Sequence, residues 1–76
     1  MAVPVKRSVT IAGHRTSISL EPEFWDALRE ISAAQNKSVN GLISEIDAAR
    51  PNDGRLAGGL SSAIRGYVLA WYRNRA

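Results

Sequence analysis

The stretch HRTSISLEPEFWDAL, residues 14–28, changes its hydrophobic period partway along. Up to Leu20 the apolar residues occupy every second position, which is typical of a strand with one buried face. After Pro22 they recur at the spacing of a helix face, at Phe24, Leu28 and Ile31. The pattern therefore predicts a short strand that is followed directly by a helix.

The segment Glu21-Pro22-Glu23 marks the start of this first helix. Proline is suited to the first helical turn, where its missing N–H is not needed, and the two acids complement the positive end of the helix dipole. We expect the helix to run to about Gln35 and to end at Asn36, a residue type that tolerates a left-handed backbone.

Ser38 is a favoured N-cap and predicts the start of a second helix, which should end near Arg50. Residues 51–59 are rich in turn formers and indicate a linker. A third helix should begin at Ser61 or Ser62, within a C-terminal segment 60–76. The predicted domain layout is thus an N-terminal arm or extra strand (1–13), a strand–helix–helix core (14–50), the linker and the C-terminal helix.

The strand at 14–20 needs a partner for its backbone N–H and C=O groups. Gly13 permits a turn and hence a local hairpin with residues 7–12, but an isolated two-stranded hairpin is marginal. Pairing with the same strand of a second chain would complete the sheet and give a 76-residue chain a larger shared core. We therefore expect an intertwined homodimer with intermolecular antiparallel strands.

Charge is distributed in blocks along the chain. Residues 1–20 carry three basic side chains and no acid, residues 21–54 carry seven acids and three bases, and residues 55–76 carry four arginines and no acid. Basic ends around an acidic middle favour a local anion-binding face, although an unevenly charged solvated surface explains the same pattern.

Several classes of protein are disfavoured by composition. The chain has no cysteine and one histidine, and it lacks the lysine and context of a phosphate-binding loop, so we expect no enzyme, metal or cofactor. There is no secretory signal and no apolar run long enough for a membrane span, so a cytoplasmic location is expected.

Together, ISLEPEFWDAL and NKSVNGLI resemble the ribbon-helix-helix proteins of the Arc/MetJ type. The longer run KRSVTIAGHRTSISLEPEFWDAL, together with LSSAIR, is similar to a bacterial subgroup of that family with a C-terminal extension. The resemblance implies a mainly α fold with a short β-ribbon that enters the major groove of double-stranded DNA. It also implies a dimer core, formed by Ile18, Leu20, Phe24, Trp25, Leu28, Ile31, Leu42, Ile43 and Ile46.

If Thr16, Ile18 and Leu20 face the core, then the alternate strand residues face outward. By the family pattern the base-reading positions are then Arg15, Ser17 and Ser19. Arginine can bond guanine in bidentate fashion, whereas the two serines have short reach and equally fit an ordinary strand surface. Specificity could then rest on Arg15, on the adjacent His14, Lys6 and Arg7, or on DNA shape. Of these, His14 is better explained as a turn or surface residue than as a base reader.

The resemblance places phosphate contacts at the start of the second helix, where backbone N–H groups attract anions. The expected phosphate-binding residues are Lys37, Ser38, Val39, Asn40, Lys6 and Arg7. A plain N-cap that serves only the fold explains Ser38 equally well.

The aromatic residues of the third helix, Tyr67, Trp71 and Tyr72, allow three interpretations. They close the core of the dimer, which we favour, or they build a higher oligomer, or they bind a protein partner.

Three functions follow from the sequence. The first is a DNA-binding repressor or autoregulator. The second is an antitoxin that uses the C-terminal helix, although this helix is basic and well patterned, whereas antitoxin tails are often acidic and disordered. The third is a dimerisation or adaptor module without DNA binding, which the two serines keep open.

Overall fold

The structure, a computed structural model, describes residues 3–50 and 59–75. Two strands are followed by three helices: β1 (Val5–Ile11), β2 (His14–Leu20), α1 (Pro22–Ala34), α2 (Val39–Ala48) and α3 (Gly59–Arg73). Most of the predicted linker, residues 51–58, lies outside the described residues, as does Arg55.

The strand β2 pairs with β1 of its own chain, as an antiparallel hairpin. Both residues of the turn, Ala12 and Gly13, have positive φ angles, 51° and 81°, which is the geometry of a type I′ hairpin turn. One edge of β2 is therefore covered within the chain, and the expected pairing with a second copy concerns only its other edge.

The helix boundaries follow the local signals. Pro22 occupies the first turn of α1 after Glu21, and Asn36 adopts a left-handed φ of 58° just beyond the helix. The Ser38 hydroxyl accepts a hydrogen bond from Gly41 N at 2.9 Å and caps α2. The start of α3 differs from the prediction: the helix begins at Gly59, because Leu60 already packs against the core.

A single hydrophobic core lies beneath one face of the hairpin. Eight of the nine residues expected in a dimer core are buried within one chain, and Phe24 is half-buried against them. Val9, Ile64 and Val68 complete the core, so α3 is part of it. Thr16 lies on the core face of β2 but is exposed, although Val9 directly opposite it is buried.

Polar contacts hold α3 against the rest of the chain. Arg65 donates to both carboxylate oxygens of Glu21, at 3.0 and 3.2 Å, and the Ser61 hydroxyl donates to the Ser19 carbonyl at 3.2 Å. The hydrogen bond from Arg65 lowers the pKa of the Glu21 carboxyl. None of the helices in 3–50 and 59–75 is long and apolar enough to cross a membrane.

Candidate nucleic-acid interface

The hairpin presents one polar face away from the core. Residues directly opposite each other on antiparallel strands have their side chains on the same face of the sheet. The register of the hairpin therefore assigns each of its side chains to one of the two faces. Ile18 and Leu20 define the core face. The opposite face, here called the ribbon face, consists of Lys6, Ser8, Thr10, Arg15, Ser17 and Ser19.

The ribbon face is positively charged and open to solvent. Five of its six residues are exposed, and Ser19 is half-buried. The hairpin contains three basic residues and no acid. The acids of α1, by contrast, lie on the exposed side of that helix, away from the core beneath the ribbon, at Glu23, Asp26 and Glu30.

The structure brings the three expected base-reading residues onto this one face. Arg15 and Ser17 are exposed near the turn, while the Ser19 carbonyl is already bonded by Ser61. Cross-strand neighbours extend the face, because Lys6 lies opposite Ser19 and Ser8 lies opposite Ser17. His14 lies opposite Ile11 and therefore belongs to the other face.

Arg7 lies on the opposite face from Lys6, although both were expected to contact phosphate. Its guanidinium lies 5.4 Å from the centre of the Trp25 ring, a cation–π arrangement. Arg7, Arg29 and the first two residues of α2 line a surface cavity of about 280 Å³. Arg29 also forms an ion pair with Asp26, so the positive charge beside the N-terminus of α2, which itself favours anions, comes mainly from Arg7.

The side chains expected to contact phosphate at α2 have partners within the chain. The Lys37 ammonium donates to Gln35 Oε1 at 2.9 Å and forms an ion pair with Glu45. The Ser38 hydroxyl is the N-cap, and the Asn40 amide bonds the backbone of Thr10. The groups that this terminus can offer to a phosphate are therefore mainly its backbone N–H groups and the guanidinium of Arg7, because Arg29 is paired with Asp26.

The aromatic residues of α3 lie against their own chain. Tyr67 and Trp71 are half-buried against the core, and the Tyr67 hydroxyl accepts a hydrogen bond from Gln35 Nε2 at 2.9 Å. The Tyr72 hydroxyl donates to the Glu30 carboxylate, and this hydrogen bond raises the pKa of the tyrosine. Tyr72 stays 42% exposed.

Sequence reasoning missed three residues of this surface, Ser8, Thr10 and Arg29. The alternation of Val5, Arg7, Val9 and Ile11 with polar residues places the two hydroxyl residues on the outward face once this segment, predicted as an arm or extra strand, is known to be a strand. Arg29 could not be assigned in this way, because its position beside Arg7 depends on how α1 packs against the hairpin.

The fold and the ribbon face can be compared with known families. No curated protein and no solved structure shows a significant match to the chain. The family model described as the ribbon-helix-helix domain matches residues 4–72, which includes the hairpin and nearly all of α3. Proteins with this domain are generally DNA-binding transcription regulators or antitoxins, and they typically bind DNA as dimers. With the match extending over most of its length, the chain belongs to the ribbon-helix-helix family.

Proposed function

We propose that the protein is a sequence-specific DNA-binding regulator, a transcriptional repressor or autoregulator, that binds DNA through the ribbon face. The observation that supports this most is the register of the hairpin, which gathers Lys6, Arg15 and four hydroxyl residues on one exposed face without an acid. A two-stranded ribbon fits the major groove, and basic and hydroxyl side chains can bond its base edges.

A homodimer would form through the free edge of β2. In an antiparallel ladder the backbone groups of alternate residues point to opposite edges. The backbone N–H and C=O groups of Thr10 point away from β2, towards Asn40. The N–H and C=O groups of Arg15, its neighbour on the opposite strand, therefore point away from β1. The same holds for Ser17. Ser61 occupies the Ser19 carbonyl, which leaves the edge around Arg15 and Ser17 for a second copy.

The width of such a paired sheet assigns roles to its strands. Strands lie about 4.8 Å apart, so two hairpins side by side span about 14 Å between their outer strands. The major groove is about 12 Å wide, which is enough for the two central strands only. The β2 strands would then read bases with Arg15 and Ser17, and the β1 strands would lie over the phosphates with Lys6.

Each N-terminus of α2 would contact the DNA backbone beside the ribbon. Its backbone N–H groups and the charge of Arg7, which lines the same surface cavity, favour a phosphate there. Such contacts orient the protein on the duplex but carry no sequence information.

Selection of bound sequences from a random DNA pool, followed by Arg15→Ala, tests this proposal. If Arg15 reads a guanine, the variant should bind the selected site about 1–3 kcal/mol more weakly and lose little affinity for random DNA. Arg73→Ala, which removes the same charge from the end of α3, is the matched control. An equal loss on both DNAs would make Arg15 a phosphate contact instead.

Two further measurements separate the alternatives. Binding to random DNA should weaken steeply between about 50 and 200 mM salt, and the absence of any salt-sensitive binding would favour the adaptor module. Sedimentation at micromolar concentration should show a dimer, whereas a stable folded monomer would contradict the proposed strand pairing.

The docked α3 weighs against an antitoxin with a detached tail. Ile64 is fully buried and the helix is tied to Glu21 and Ser19. A helix that already contributes to the core of its own domain has less apolar surface left to offer a toxin. Nuclear magnetic resonance of the isolated protein should therefore show α3 as folded.

A further inference from the structure

The side chain of Asn40 bonds both backbone polar groups of Thr10. The Thr10 N–H donates to Asn40 Oδ1 at 2.9 Å, and Asn40 Nδ2 donates to the Thr10 carbonyl at 2.7 Å. The two residues are 30 positions apart and belong to α2 and β1. A carboxamide has the same donor and acceptor as a peptide group, so Asn40 takes the place that a neighbouring strand would have beside β1.

This contact occupies the outer edge of β1 at Thr10. An edge strand with free N–H and C=O groups is a template for pairing with another chain. At Thr10 both groups are already bonded, so this position of the β1 edge cannot pair with a second copy. The contact also holds the turn end of the hairpin, where the side chains are otherwise exposed.

The contact joins the two parts of the proposed DNA site. Thr10 lies directly opposite Arg15, the expected base reader. Asn40 is the second residue of α2, after the Ser38 cap, so its own backbone belongs to the terminus that favours phosphate. One side chain thus connects the strand pair that carries Arg15 to the helix end beside the DNA backbone.

We propose that Asn40 is a positioning residue for DNA recognition, which holds the ribbon at a fixed distance and angle from the N-terminus of α2. The inference rests on the proposed DNA-binding function. With the contact in place, a phosphate bound at α2 sets the depth at which Arg15 meets the base edges. Without the contact, the ribbon and the N-terminus of α2 bind DNA independently. The difference in affinity between the correct sequence and a wrong one is then smaller.

This role differs measurably from a direct phosphate contact by Asn40. A lost phosphate contact weakens binding to every sequence by about the same factor, because phosphates are common to all DNA. A lost positioning contact weakens the selected sequence most, because base reading requires exact placement of Arg15. The ratio of the two affinities therefore distinguishes the roles.

The test compares Asn40→Ala with Asn74→Ala, a matched change at an exposed asparagine beyond the end of α3. Neither change alters the net charge. In the free protein, we expect the Thr10 amide to exchange its hydrogen about tenfold faster in Asn40→Ala, since it loses its acceptor. An unchanged exchange rate would show that the contact is absent in solution and would overturn the inference.

Affinity is then measured for the DNA selected by the wild-type protein and for a random duplex, at one salt concentration. Asn40→Ala should lose about tenfold on the selected DNA and less than about threefold on the random duplex, consistent with two lost hydrogen bonds acting through Arg15. Asn40→Gln, which keeps the carboxamide, should recover part of the wild-type ratio between the affinities for the selected DNA and for the random duplex. Asn74→Ala should behave as the wild type on both DNAs.

The outcomes separate this inference from the proposed function. Equal losses on both DNAs would make Asn40 a phosphate contact and overturn the positioning role, while DNA binding itself would stand. Failure of the wild-type protein to bind either DNA would overturn the proposed function and the inference with it. Circular dichroism at the assay temperature confirms that Asn40→Ala is folded, so that a general loss of structure is not read as loss of positioning.

Discussion

Shortening Ile64 by one methyl group tests whether α3 is part of the folded core or an appended segment. The side chain is fully buried beside Val68, on the face of α3 that meets the other helices. Ile→Val in a packed core usually costs about 0.5–1.5 kcal/mol, which combines lost burial with the cavity that remains. A domain of this size is stable by only about 4–11 kcal/mol in total, so the loss is readily measured.

The assay is urea unfolding at one fixed protein concentration, because association makes the stability of a dimer depend on concentration. Circular dichroism follows the helices, and fluorescence follows the two tryptophans. With a slope of about 1 kcal/mol per M, the unfolding midpoint of Ile64→Val should fall by about 0.5–1.5 M. Ile64→Ala should cost about 2–5 kcal/mol and could leave the chain largely unfolded.

Leu69→Ala is the matched control on the same helix. Leu69 is 57% exposed, so its truncation should change the free energy of unfolding by no more than about 0.5 kcal/mol. The reasoning is refuted if Ile64→Val and Leu69→Ala have the same midpoint as the wild type. In that case α3 would not contribute to the core in solution, and an antitoxin with a separate C-terminal segment would become the better interpretation.

Three smaller perturbations follow from local geometry. Ala12→Asn should raise the free energy of unfolding by up to about 1 kcal/mol, because asparagine tolerates the positive φ of a type I′ turn better than alanine; a lower urea midpoint would contradict this turn. Glu21→Gln should lower the thermal midpoint at pH 7, but the difference from wild type should vanish in acid: Arg65 lowers the folded pKa of Glu21, so the stabilisation is present above the ordinary glutamate pKa and is lost as pH falls through the folded value. Tyr72→Phe should remove the most alkaline part of the tyrosinate absorbance titration, since the hydrogen bond to Glu30 raises the pKa of Tyr72; loss of absorbance from the less alkaline part of the curve would show that this bond is absent.

Much of the fold is predictable from local sequence, because the signals concerned act over a few residues. The change of period at Pro22 places the junction between β2 and α1, Asn36 ends the first helix, and Ser38 begins the second. Alternation in β2 is likewise local, and it puts Arg15, Ser17 and Ser19 on one face before any partner is known.

The partner of each element is not a local property, and the tertiary structure decided it. Sequence reasoning preferred a second chain as the partner of β2, whereas β1 occupies one edge through the turn at Ala12 and Gly13. The pattern could describe the apolar stripe of α3 but could not say that Ile64 completes the core.

The candidate site divides in the same way. Strand alternation put Arg15 on the outward face of β2, and the resemblance to the ribbon-helix-helix family nominated it and the start of α2 as DNA contacts. The bonds from Asn40 to Thr10, and the cavity that Arg7 and Arg29 both line, involve elements that are distant along the chain. Such contacts form only when the whole core is packed, because their favourable free energy must exceed the entropic cost of closing the long loops between them. A short window of sequence contains neither of these two terms, so it cannot predict such contacts.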